Sequence, residues 1–277
     1  MPWSRSTSNS WKRLWPQNDA KARPSKSILN YIGLLHAIFA HATKRGWCER
    51  NPVALADKPR AVRNAHIRFL SLEELEAILA ATPSTPLGRT DRLLYLTAAM
   101  TGLRRGEALA LHWADVDLAA GHVRVRWTLS RVGHELVFDE PKTERSRRFV
   151  PLPHPVAAVL KLHRSAQVVE RLAALVWQPW EGHEDMVFPT QIGTPTDPRN
   201  ALRAFAVIAQ RAGLAGVGLH TLRHSAASAL IASGAHIKVV QELLGHSSYG
   251  ITADIYSHVA IEQQREAAER LSEVFPW

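Results

Sequence analysis

Cysteine is almost absent from this chain. Cys48 is the single one in 277 residues, which excludes an intramolecular disulfide and any cysteine-based zinc site and fits a reducing compartment. Long apolar runs are missing as well. No continuous segment is long enough to span a bilayer, and the N-terminus, rich in Ser, Trp and Arg, lacks the apolar stretch of a signal peptide. A cytoplasmic protein with no membrane partner is therefore expected. Acidic residues are outnumbered, 25 Asp and Glu against 34 Lys and Arg, which leaves a formal charge of +9 and a pI near 10.1. That balance calls for an anionic partner, and nucleic acid suits a chain of this size. Internal repeats and low-complexity tracts are also lacking. What is present in quantity is apolar side chain, 46% of residues, ample for one large domain or two modest ones.

Chemistry-bearing residues concentrate between His220 and Tyr256. On a first helix Leu222, Ala226, Ala229 and Leu230 have the spacing of a buried stripe, which predicts His220, Arg223 and His224 together on another side. A second helix should bury Ile237, Val240, Leu243 and Leu244 and stop at Gly245, placing His246 just past a glycine-terminated end. Ser247 or Ser248 can cap a further short helix carrying Tyr256. An arginine beside histidine donors suits a phosphate, because the guanidinium fork binds two oxygens and stays charged. A tyrosine hydroxyl becomes a useful nucleophile once a base takes its proton and the phosphorane charge is neutralised. No carboxylate cluster of metal-binding type lies in the stretch, so the composition favours metal-free phosphoryl transfer onto tyrosine.

Plainer readings exist for each residue. His220 and His224 at i, i+4 could ligate zinc, but the glutamate of an HExxH motif is absent and Arg223 lies between them. Any one histidine could be a hydrogen-bonded core residue, and Tyr256 alone would be an ordinary packing aromatic. The order and spacing of H-x-x-R-H, L-G-H and Y-S-H are more specific than the parts.

Together these motifs resemble those of the tyrosine recombinases, the integrases of phages and mobile elements. His220 and Arg223 match the family's H-x-x-R box, His246 its L-G-H and Tyr256 its nucleophile; Tyr249 lies near His246 but not at the family's distance. His224 matches a residue the family keeps beside the box and is read as supporting. Upstream, Arg104 stands on a glycine-bounded turn three residues before Glu107, a helix-spaced ion pair. Thr101-Gly102-Leu103-Arg104 with Glu107 resembles the family's first arginine box, implying catalysis by Arg104 and support from Glu107. Pro141-Lys142-Thr143 is similar to the family's catalytic hairpin, which makes Lys142 the candidate acid for the leaving oxygen. On composition alone that charged tip is as readily a solvated turn.

The remaining chain is read in order. Residues 1–24 are irregular. Residues 25–66 hold a helix from Ser25 to about Arg45, with Ile28, Ile32, Leu35 and Phe39 at helical spacing, and then a basic linker. This region resembles the last part of the integrase core-binding domain, which is normally longer, so a partial one is expected. A capping box at Ser71 to Glu74 opens the next helix, and Asp91 is read as the start of the apolar helix Leu93 to Met100. Val123 to Trp127, Leu136 to Phe138 and Arg148 to Leu152 are read as a three-stranded antiparallel sheet. A helix over Pro155 to Ala174 follows, and Asp197-Pro198 caps one through Ala212 whose Arg199, Arg203 and Arg211 are candidates for phosphate contact.

The expected fold is mainly α with a small three-stranded antiparallel sheet, an α+β catalytic domain over residues 67–260, with residues 261–277 as a C-terminal helical tail. The resemblance implies a site-specific recombinase acting on double-stranded DNA, a homotetramer on DNA and a monomer when free. Tyr256 would attack the scissile phosphate to leave a 3′-phosphotyrosyl link, with Arg104 and Arg223 on the non-bridging oxygens and His246 adding a hydrogen bond. His220 would be the base and Lys142 the acid, with no metal, ATP or other cofactor. The alternatives are a truncated, non-catalytic DNA-binding relic and a type IB topoisomerase-like relaxing enzyme.

Overall fold

The computed structural model describes residues 25–56, 68–141 and 147–245. The chain divides into two compact units, residues 1–66 and 67–277. In the first, helix α1 spans Ser25–Lys44, and Gly46, at φ 73°, turns the chain out of it. The Asn51 side chain donates to the His36 carbonyl at 3.0 Å and accepts from the Val53 amide at 2.9 Å, which ties the following turn to the helix. Of the apolar set read from the sequence, Ile28 is buried, whereas Leu35 is exposed. The face covered within this unit is thus narrower than the periodicity predicts.

The second unit opens with α2 (Leu72–Ala81), begun by the predicted capping box: the Ser71 hydroxyl accepts from the Glu74 amide, and the Glu74 carboxylate accepts from the Ser71 amide. Helix α3 spans Pro86–Thr101, with Thr85 as its N-cap and Pro86 in the first turn. Asp91 therefore lies inside α3 and does not start it, a correction that the Thr85-Pro86 pair explains. Burial pushes the Asp91 carboxyl up to about 6. Tyr95, one turn on, is fully buried and meets Phe205 edge-on at 4.9 Å between ring centres.

After the short α4 (Arg105–Leu109) and a 3₁₀ turn at Trp113–Asp115 come the strands of the described residues: β1 (Val116–Asp117), β2 (His122–Arg124), β3 (Thr128–Val132), β4 (Glu135–Asp139) and β5 (Phe149–Pro151). A three-stranded antiparallel sheet has the order β1-β2-β5, with Val123 opposite Val150, both fully buried. Leu136 to Phe138 is not its third strand. It belongs to β4, which pairs with β3 as a separate two-stranded sheet closed by a tight turn through Gly133, at φ 61°. Phe138 then stacks on His183 at 3.6 Å, and His183 is in hydrogen-bond contact with His112 at 3.0 Å. The partner strand, β3, is not among the strands read from the sequence, and it pairs with β4 locally across that turn.

The chain continues through α5 (His154–Ala173), α6 (Pro198–Arg211), α7 (Leu219–Ala232) and α8 (Ile237–Leu244). Asp197 caps α6 as predicted. One apolar core runs through α3, α4, the three-stranded sheet, α6 and α7, with Leu109, Phe188, Phe205 and Leu222 among its most buried members. Among the described residues no helix is long and apolar enough to cross a membrane.

Candidate active site

The site begins where α3 stops. Gly102 adopts φ 65°, its amide returns to the Ala98 carbonyl, and the chain turns through Leu103 so that Arg104 is the N-cap of α4. Glu107, in the first turn of α4, accepts from the Arg104 amide at 2.9 Å and from the Arg104 guanidinium at 2.7 Å. The same carboxylate takes a second guanidinium from a distant position: Arg148 donates to Oε1 at 3.1 Å and to Oε2 at 3.0 Å. Glu107 is 4% exposed, and burial alone would raise its pKa. The hydrogen bonds and charge of Arg148, and then those of Arg104, outweigh burial and hold it below the ordinary carboxylate value.

These guanidiniums meet at the end of α8. Its last carbonyls have no partner within the helix, and each of three successive ones takes a different arginine. Leu243 accepts from Arg148 Nε at 2.6 Å, Leu244 from Arg223 Nη2 at 2.7 Å, and Gly245 from Arg104 Nη2. Arg223 also donates from Nη1 to the Gly102 carbonyl at 2.7 Å, so it bridges the ends of α3 and α8. The negative end of the helix dipole suits this gathering of positive charge. Gly245 ends α8 at φ 65°, as the sequence predicts, and a β-carbon there would meet the Arg148 guanidinium at 2.9 Å.

Arg223 is not on the open side of α7. It is 6% exposed, and the buried stripe runs through Leu219, Leu222, Arg223, Ala226, Ala227 and Ile231, with Ala229 outside it. The two carbonyls it satisfies allow a guanidinium on this face. Burial, and then the nearby Arg104, push its pKa down to about 9, which leaves it cationic at neutral pH. His220 is exposed in the first turn of α7, and His224 is half-buried with Nδ1 unpartnered among the described residues. For both, desolvation comes first in lowering the pKa; positive charge from Arg105, Arg223 and Arg104 adds to it at His220, and His220 and Arg223 add to it at His224. Both imidazoles are therefore held toward the neutral form.

The end of α8 thus brings Arg104, Glu107 and Arg223 together, with His220 on the same helix as Arg223. Lys142, His246 and Tyr256 lie outside the described residues, although Gly245, the residue before His246, sits within the arginine cluster. Arg148 is the member that the sequence reading missed. It was read only as the start of a strand, and nothing local distinguishes it from Arg147, which pairs with Glu140. Among the described residues there is no cluster of three or more His, Cys, Asp or Glu side chains fit to hold a metal.

Residues 68–263 match the model of the phage integrase family. The chain belongs to that family of tyrosine recombinases. It is similar to the tyrosine recombinase XerC-like protein of Caldanaerobacter subterraneus subsp. tengcongensis, 32% identical over 269 residues that make up 92% of this chain and 68% of that protein. It is 28% identical to the ICEBs1 integrase of Bacillus subtilis, over 90% of this chain and 66% of that one. The chain therefore spans about two thirds of the length of these relatives. Among solved structures the Tn1549 transposon integrase in complex with transposon right end DNA superposes with a TM-score of 0.75 at 22% identity, covering 91% of this chain and 81% of that one. The integrase fold, mainly helical with small antiparallel sheets, is thereby the fold of this chain.

Proposed function

We propose that this phage integrase family member is a site-specific DNA recombinase that cuts and rejoins duplex DNA through a 3′-phosphotyrosyl intermediate. Tyr256 attacks the scissile phosphorus as the 5′-oxygen leaves, and Lys142 gives that oxygen its proton. His220 takes the phenolic proton, a role suited to an imidazole kept neutral at pH 7. Arg104 and Arg223 neutralise the non-bridging oxygens, and His246 adds a hydrogen bond as charge builds there. The bond energy stays in the phosphotyrosine, so religation by the free 5′-hydroxyl requires no ATP, and the guanidiniums do the charge work that a metal would otherwise do. Assembly as a homotetramer on DNA from free monomers is part of this reading, and it rests on the family resemblance.

The observation that carries the proposal is the meeting of Arg104 and Arg223 on the carbonyls of Gly245 and Leu244, immediately before His246. Residues far apart in sequence thereby meet on the two residues that precede His246 in the chain. The DNA complex solved for the Tn1549 integrase supports duplex DNA as the substrate class. A nicked suicide substrate followed by denaturing electrophoresis tests the reaction. The wild-type chain should give a covalent protein–DNA adduct, and Tyr256→Phe should bind the same DNA without giving one. An adduct with the phenylalanine variant would transfer the nucleophile role elsewhere.

A further inference from the structure

We infer that Arg148 is a positioning residue of the strand-transfer site, holding Glu107, and through it Arg104, against the end of α8. The inference rests on the proposed roles of Arg104 and of the segment after Gly245. Arg148 enters β5, and its carbonyl accepts from the Val125 amide at 2.9 Å, so its backbone is fixed by the sheet. Its side chain is 7% exposed, and Nε, Nη1 and Nη2 all donate inward, to Leu243, Glu107 Oε1 and Glu107 Oε2. It ties α4, β5 and α8 together at one point.

Arg104 shares that carboxylate and is 35% exposed, so of the two partners of Glu107 it is the one open to a substrate. With Arg148 in place, Glu107 is held on both oxygens and its two bonds to Arg104 have a fixed direction. Without it, the carboxylate keeps a single guanidinium partner and can swing with Arg104, while the Leu243 carbonyl loses its donor. Gly245 belongs to the same device, because a side chain there would occupy the space through which the Arg148 guanidinium passes. Lysine cannot replace the arginine, since one ammonium cannot bridge both oxygens of Glu107 and also reach Leu243.

The test uses the full chain and its DNA substrate, with Arg148→Lys, Arg148→Gln, Glu107→Gln and the Arg148→Gln/Glu107→Gln double variant. Duplex affinity, the single-turnover rate of covalent adduct formation, and the folded fraction by tryptophan fluorescence are measured at one temperature. Arg148→Lys should keep duplex affinity within about twofold, while its rate per folded molecule falls about tenfold to a hundredfold, the scale expected when a reacting group is misplaced by a fraction of an ångström to an ångström. The double variant should be no slower than the slower single, because both changes break one link. Arg148→Lys at the wild-type rate overturns the inference, as do additive losses in the double variant and a rate loss that vanishes once corrected for folded fraction. Failure of both Arg148 variants to fold overturns it too, since the residue is then needed for the fold and not for alignment. Arg104→Ala and Tyr256→Phe are the controls for the underlying reading. If they still form adduct, the site assignment fails; if they do not while Arg148→Lys cleaves at full rate, only the Arg148 inference fails.

Discussion

Arg223 and Leu244 are joined by a guanidinium-to-carbonyl hydrogen bond of 2.7 Å, made where α8 has run out of internal partners. The opposite arm of the same group reaches Gly102 at 2.7 Å. One side chain therefore sets the distance between the ends of two helices, and the proposed reaction also asks it to neutralise the phosphate.

Arg223→Lys keeps the charge but has one donor centre for two carbonyls. A buried carbonyl left without a partner costs about 1–3 kcal/mol, so urea denaturation should show a loss of that size. Cleavage should slow as well, by up to about 10²–10³ if the whole charge-neutralising contact is lost. Arg104→Ala should separate the two effects. Its side chain is one-third exposed, so the rate should fall by a similar factor with a smaller change in the unfolding midpoint than Arg223→Lys produces.

Glu107→Gln removes the charge that pairs both Arg104 and Arg148 while leaving the shape nearly unchanged. Breaking a buried ion pair by removing one partner costs about 3–5 kcal/mol. The pKa of Glu107 is depressed in the folded state, so its contribution is complete above the unfolded value of 4.5 and is lost as pH falls through the folded value. Unfolding free energy measured against pH should therefore drop less steeply on the acid side in the variant than in the parent.

His220 has its pKa lowered from 6.5, so the imidazole is the free base at pH 7. The adduct-forming rate should fall on the acid side with a midpoint under the ordinary histidine value of 6.5. His220→Asn should be slow throughout and lose that acid limb. Stability follows the same sign: because the folded state resists protonation, the contribution of His220 is in place above 6.5 and is lost as pH falls below it.

Gly102→Ala tests the junction from the backbone side. Gly102 has φ 65°, and a β-carbon there would lie 2.4 Å from Leu244 Cδ2. Left-handed strain of about 1–2 kcal/mol and overpacking of about 1–3 kcal/mol should add. A thermal melt should show the loss, and Gly133→Ala, with the same sign of φ but open space around it, should lose only the smaller share.

Local chemistry was readable wherever one stretch of chain decides the outcome. The Ser71 to Glu74 box, the Asp197 cap, the stop at Gly245 and the Arg104–Glu107 pair are all settled within a few residues. The features that the sequence hid are long-range. Arg148 meets Glu107 from 41 positions away, and nothing in Arg147-Arg148 marks which of the two turns inward. Arg223 was placed on an open face because a cation on a buried stripe looks wrong until the carbonyls of Gly102 and Leu244 are there to receive it. The sheet holding Leu136 to Phe138 differs for another reason: β3, its neighbour across a tight turn, is not among the strands read from the sequence.

Asp115 lends the three-stranded sheet a property that composition conceals. This buried carboxylate takes Arg124 on Oδ1 and Arg126 on Oδ2, at 3.2 Å each, and both guanidiniums remain more than two-fifths exposed. One negative charge thus restrains two positive ones, and a surplus of one stays at the rim. Long cationic side chains normally surrender rotational freedom when they grip a polyanion. Here part of that loss is already incurred as the chain folds, because Asp115 holds both heads from below.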